Sequence, residues 1–201
     1  MKNWNVLHQE IIALLKEKLA PHLTYHNWQH TEHVIAMTEF IARQEKVSES
    51  EILLLKTAAL FHDIGFINAI EEGHENESIR LAKEKLPHYG YNKAEIKAIT
   101  GMIKATEIPQ MPKNRYECII ADADLEYLGT DRFESIGHQL FLELKATRPS
   151  LSRSEWNSIQ INFLQSHFYK TDYCKQFRAP LKEKNIQKLM VPRAKPQVSN
   201  V

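Results

Sequence analysis

Ten histidines are spread over the chain, and three of them crowd into Tyr25-His26-Asn27-Trp28-Gln29-His30-Thr31-Glu32-His33-Val34. A His62-Asp63 pair interrupts an apolar helical stretch, Leu53 to Phe61, and Gly65 stands just beyond it. Gly73-His74-Glu75-Asn76-Glu77-Ser78 follows, and later Ile120-Ala121-Asp122-Ala123-Asp124-Leu125. Burying an unpaired carboxylate is expensive, so an acid in such a setting needs a cation or a strong hydrogen-bonding partner. A divalent metal answers that need, and adjacent His and Asp side chains at a helix end can both reach one ion. Imidazole together with carboxylate oxygen suits Mn, Fe, Co, Zn or, less strongly, Mg. Further ligands must then come from elsewhere, with His30 at one helix start and Asp124 in another apolar helix as suppliers. Asp122 and His33 are the alternatives to Asp124 and His30. His74 and Glu77 lie one helical turn apart and can face an ion together. Glu77 would orient or activate a water and His74 would hold a second metal, unless both only start a solvated helix.

These side chains need elements to position them, and the chain reads as helical throughout. It has 201 residues with only 6 Gly and 8 Pro, sparse punctuation that favours long helices over many short strands. Leu7, Ile11, Leu14, Leu15 and Leu19 recur at helical spacing until Pro21, and Val34, Met37, Ile41 and Ala42 mark a second helix. Ser48-Glu49-Ser50-Glu51 is a capping box ahead of the helix that ends at His62-Asp63. Further helices are predicted over 78–86, from Asn92, over 116–128, from Phe133, from Ser152-Arg153-Ser154-Glu155 and over about 175–190. No stretch alternates like a strand, and no repeat or linker divides the chain. The expectation is an all-α, single-domain bundle of about nine helices over residues 1–190, with 191–201 as a disordered tail.

Composition narrows the classes further. Lys and Arg number 26 against 25 Asp and Glu, so no extended nucleic-acid surface is expected. No apolar run approaches the ~18 residues of a membrane span, and Met1-Lys2-Asn3-Trp4 does not start a signal peptide. Cys118 and Cys174 have neither metal-ligand nor CxxC spacing. A cytoplasmic protein without a membrane partner is expected.

His30, then His62-Asp63, then Asp124 resembles the His…His-Asp…Asp motif of the HD-domain superfamily of metal-dependent phosphohydrolases, an all-α fold. The similarity runs from about Leu7 to Leu144. Tyr25 to Val34 resembles the same segment of cyclic-nucleotide phosphodiesterases. Phe61-His62-Asp63-Ile64-Gly65, Asn76-Glu77-Ser78 and Asp122-Ala123-Asp124-Leu125 with Leu128-Gly129 are similar to a bacterial branch of predicted HD phosphohydrolases. The resemblance implies His30, His62, Asp63 and Asp124 as the ligands of one metal, preferring His30 to His33 and Asp124 to Asp122. It also implies that Asp63 bridges to a second metal and that His26 protonates the leaving oxygen. Several HD proteins carry a further His where this chain has Glu107.

The expected activity is hydrolysis of a phosphate ester of a nucleotide or small phosphorylated metabolite by metal-activated water. His26, Asp63 and Glu77 are the expected catalytic residues, with one or two divalent ions as cofactor and a homodimer left open. No Walker loop, GxSxG, GxGxxG or HExxH is present, which argues against those chemistries. Two other readings use the same residues: a nucleotide-sensing module without turnover, and a di-iron oxygenase with His74 or His33 as added ligands.

Overall fold

The computed structural model of the chain describes residues 2–68 and 73–190, and the expected 191–201 tail lies outside them. Among the described residues all regular structure is helical. The helices are α1 (Trp4–Lys18), α2 (Trp28–Gln44), α3 (Glu49–Phe61), α4 (His74–Lys85) and α5 (Lys93–Lys104), then α6 (Arg115–Asp124), α7 (Phe133–Thr147), α8 (Arg153–Ser166), α9 (Asp172–Phe177) and α10 (Ala179–Met190). Short 3-10 turns occupy Ile64–Ile67, Leu86–Tyr89 and Glu126–Gly129.

Sequence chemistry accounts for the boundaries. The Glu51 carboxylate accepts from the Ser48 amide at 3.1 Å, and Asn92 and Ser152 make reciprocal boxes with Glu95 and Glu155. These caps satisfy amides that have no carbonyl inside the helix. Two expected helices are divided. The 116–128 stretch leaves the α-helix after Asp124 and tightens into the 3-10 turn, which makes Asp124 the last α-helical residue of α6. The final stretch breaks at Arg178, with Pro180 in the first turn of α10, where a missing amide hydrogen costs no internal bond.

The largest core joins α1, α2, α3, α5 and α6 through Leu7, Ile11, Ile41, Leu55, Phe61, Ile103 and Ile120. A second cluster, with Tyr127, Phe133, Leu164 and Ile186, gathers α7, α8 and α10 around the turn after α6. The site lies where these two bodies of apolar packing meet. Gly65 determines how closely α4 approaches it. A Cβ on Gly65 would stand 2.0 Å from the His74 carbonyl oxygen, and the Gly65 amide donates to Ser78 Oγ at 2.8 Å. Only a residue without a side chain lets the start of α4 rest on the His62-Asp63 turn.

Candidate metal centre and adjoining chamber

Asn27 places the first histidine. It caps α2, its Oδ1 accepting from the amides of Gln29 and His30, and its Nδ2 donates to the Thr24 carbonyl. His30 therefore sits in the first turn of α2. His62 and Asp63 terminate α3, and Asp124 terminates α6. Their polar atoms converge. His30 Nε2 lies 3.3 Å from His62 Nε2 and 3.1 Å from Asp124 Oδ1. Asp63 Oδ2 is 3.1 Å from His62 Nε2 and 3.5 Å from His30 Nε2, and Asp124 Oδ1 is 3.5 Å from His62 Nε2.

This donor set fits a metal. His62 is fully buried, and its Nδ1 gives its hydrogen to the Ala59 carbonyl at 2.7 Å. In the neutral ring the Nε2 lone pair then faces carboxylate oxygens, and Asp63 Oδ2 is buried with no donor. Lone pairs pointed at one another in a dry site require a proton or a cation between them. Atoms bound about 2.0–2.2 Å from a common ion stand about 3–3.5 Å apart, which matches the spacings above. Without an ion the charge is made up by a proton. Burial opposes protonation of His62, but Asp63 and Asp124 overcome it and hold the ring well above its ordinary pKa. Burial likewise opposes ionisation of Asp124, but hydrogen bonds from His30 and His62 bring it down to about 2. Asp63 is also held well below the carboxylate range by His62 and His74 against its burial. At His30 burial prevails and lowers the pKa.

His74 is the first residue of α4, with Nε2 3.4 Å from Asp63 Oδ1 and 3.3 Å from Glu75 Oε1. Its ring stacks on Phe66 at 4.0 Å, and Phe66 stacks on His26 at 4.6 Å. Glu143, buried on α7, fixes His26. Its Oε2 accepts from the amides of Tyr25 and His26 at 2.8 and 3.0 Å, and its Oε1 meets His26 Nδ1 in a short contact. The carboxylate's burial is outweighed by the His26 interactions, which keep its pKa low.

The structure separates the alternatives. Asp122 points away from the cluster and accepts from the Thr171 amide and hydroxyl at 2.8 and 2.7 Å and from the Lys170 amide at 2.9 Å. It anchors the segment before α9. His33 is one turn too far along α2 and faces Glu126 at 3.5 Å and Arg132 at 3.2 Å. Glu77 is not brought to the metal centre. Arg80 and Asn68 bind its carboxylate and hold its pKa at about 2. The acid turned inward from this helix start is Glu75, 7% exposed. Sequence reasoning passed over Glu75 and Glu143. Glu143 carried a usable signal, a carboxylate between Leu142 and Leu144 on an apolar helix, the same anomaly that singled out Asp63.

A cavity of about 490 Å³ opens from His26, Asp63, His74, Glu75 and Asp124. It continues between α7 and α8, and Thr106 borders it.

An all-α bundle that buries a His, a His-Asp pair and a distal Asp around one point is an HD-type domain. The chain belongs to the HD-CE family, whose model matches residues 20–167. Two solved structures share the fold. A predicted HD superfamily hydrolase from an uncultured Thermotogales bacterium is 19% identical, with a TM-score of 0.54 over 78% of this chain and 88% of that one. Bacillus subtilis YpgQ in complex with ADP is 16% identical, with a TM-score of 0.63 over 92% and 95%. No curated protein matches the sequence. Among the described residues no helix is long and apolar enough to cross a membrane.

Proposed function

We propose that the protein is a metal-dependent phosphohydrolase acting on a phosphate ester. The observation that carries this reading is the buried convergence of His30, His62, Asp63 and Asp124 at the inner end of a cavity that His26 also lines. The phosphate-bearing ADP in the YpgQ structure supports a phosphorylated ligand for this fold.

His30, His62, Asp63 and Asp124 would hold the ion, with Asp63 Oδ1 and His74 turned toward a second position beside it. A bound divalent ion lowers the pKa of a water and offsets charge on phosphoryl oxygens. The chain's own groups do the rest. Glu143 accepts from His26 Nδ1 and from two backbone amides, so the ring is held in one orientation and its Nε2 is left for the substrate. From there His26 hands a proton to the departing alkoxide oxygen. Glu75, buried beside His74 and lining the cavity, is the carboxylate that would receive a proton from the attacking water. It takes the role that the sequence had assigned to Glu77. Phe66 lies between His26 and His74 as an apolar plate that limits water to the reacting face.

Elemental analysis of the purified protein, followed by a phosphate-ester panel with the retained metal supplied, tests the reading. One or two equivalents of Mn, Fe, Co or Zn, or activity with added Mg, and loss of hydrolysis in Asp63→Ala, are expected. Two irons without hydrolysis would instead favour oxygen chemistry, and bound metal with no turnover would leave a sensing module.

A further inference from the structure

The cavity is two-sided in its chemistry. Its inner end is polar, formed by the metal-centre residues. Its remainder is walled by Leu128, Leu140, Leu144, Trp156, Ile159 and Phe163 from the turn after α6 and from α7 and α8. Gln160, Arg148 and the indole N–H of Trp156 are the polar groups along that part; the indole N–H is buried without a hydrogen-bond partner and Arg148 is exposed. Two residues that line the cavity, Ile108 and Ile159, remain 53% and 42% exposed. Apolar side chains left open around a concave cavity are surface that a ligand can remove from water.

This composition discriminates among organic groups attached to a phosphate. A ribose and base present hydroxyls, ring nitrogens and carbonyls, each needing a partner once desolvated. Against walls of Leu, Ile and Phe most would be left unpaired, at a cost of about 1–3 kcal/mol for each group. A hydrocarbon chain or ring needs no partners and gains with every carbon buried. The volume lies within the ~300–1,000 Å³ of small-molecule sites, so there is room for an organic group well beyond a phosphate.

We infer that the α7–α8 chamber selects phosphate esters of apolar alcohols, the phosphate lying at the metal centre and the hydrocarbon along Leu144, Ile159 and Phe163. The head-group half of this inference rests on the phosphohydrolase reading; the chamber half does not. α7 then serves both ends of the substrate. Glu143 steers His26 toward the leaving oxygen, and Leu140 and Leu144, each one turn from the other, contact the carbons attached to that oxygen.

The test uses the full chain with Mn²⁺ supplied and two parallel series, n-alkyl phosphates from ethyl to octyl for turnover and the matching non-hydrolysable n-alkyl phosphonates for binding. Each methylene buried is worth about 0.8 kcal/mol, so kcat/KM and phosphonate affinity should rise about 4-fold per methylene until the chamber is filled. Ile159→Glu, at a half-exposed position where the helix tolerates the change, should flatten both series, with circular dichroism confirming the fold. A flat wild-type series, a stronger preference for adenosine monophosphate than for octyl phosphate, or an unaltered slope in Ile159→Glu overturns the inference. Chain-length-dependent phosphonate binding with no ester hydrolysed would support the chamber and sink the phosphohydrolase reading. Hydrolysis indifferent to chain length would do the reverse.

Discussion

Single side chains carry sharply different duties here, and the pairs that resemble each other in sequence separate most clearly. Asp122 and Asp124 are two residues apart on one helix, so they point in different directions; one ties down a neighbouring segment and the other faces two histidines. The motif order made His30, His62, Asp63 and Asp124 legible. Glu143 stood out only as a carboxylate on an apolar helix; its pairing with His26 was not legible, because the two are 117 residues apart in sequence and no local pattern joins them. Glu77 misled because spacing predicts a shared helical face but says nothing of Arg80, which captures its carboxylate. Asp63→Ala should bring metal content to background while far-UV circular dichroism is retained, since the loss is confined to one ligand. His26→Ala should keep the metal and lower turnover of an ester with a poor leaving group by about 10²–10⁴-fold, the usual range for a lost general acid. Glu143→Gln should give part of that loss, and the deficit should shrink with nitrophenyl phosphate, whose leaving group needs little protonation. A deficit equal for both esters would make Glu143 a structural residue only.

Elements position the site through close contacts at their ends. α2, α3 and α6 each deliver a candidate ligand from a first or last turn, where packing fixes the helix, and at α3 the Ala59 carbonyl also fixes the His62 ring. Caps and apolar spacing made most of these helices legible in the sequence. The early end of α6 was not, because Leu125 to Leu128 continues the apolar pattern and only tertiary packing decides that the chain tightens there. The approach of α4 is the tightest of these arrangements. In Gly65→Ala the new methyl would collide with the His74 carbonyl and the Ser78 amide, both backbone, so α4 must move. A cost of about 1–3 kcal/mol is expected for such overpacking, or about 2–12 °C in midpoint at roughly 2–4 °C per kcal/mol for a chain of this size. Thermal unfolding measures it. An unchanged midpoint would mean that α4 is not held against this turn.

Across the whole molecule, acid stability should carry a contribution from outside the metal centre. His167 follows α8, nearly buried, and neither ring nitrogen has a hydrogen-bond partner. Burial, with Lys182 and Lys170 nearby, lowers its pKa to about 3. In the unfolded chain it titrates near ~6.5. The unfolded state therefore takes up a proton that the folded state refuses between those values. The stability this neutral ring contributes is fully present above about pH 6.5 and is lost progressively as pH falls toward 3. His167→Phe, which keeps the stacking on Phe163, should lose less midpoint than the wild type between pH 7 and 4. Parallel melting curves for the two proteins would remove His167 from this account.

The four candidate ligands are contributed at residues 30, 62, 63 and 124, and the residue that steers His26 comes later still, at 143. During synthesis a nascent chain can therefore present three of the ligands but cannot close the set until α6 has left the ribosome and docked on α2. On the phosphohydrolase reading, capture of an ion by all four residues would then be a late event that reports a completed bundle, and the fixing of His26 by Glu143 would follow it by a further helix.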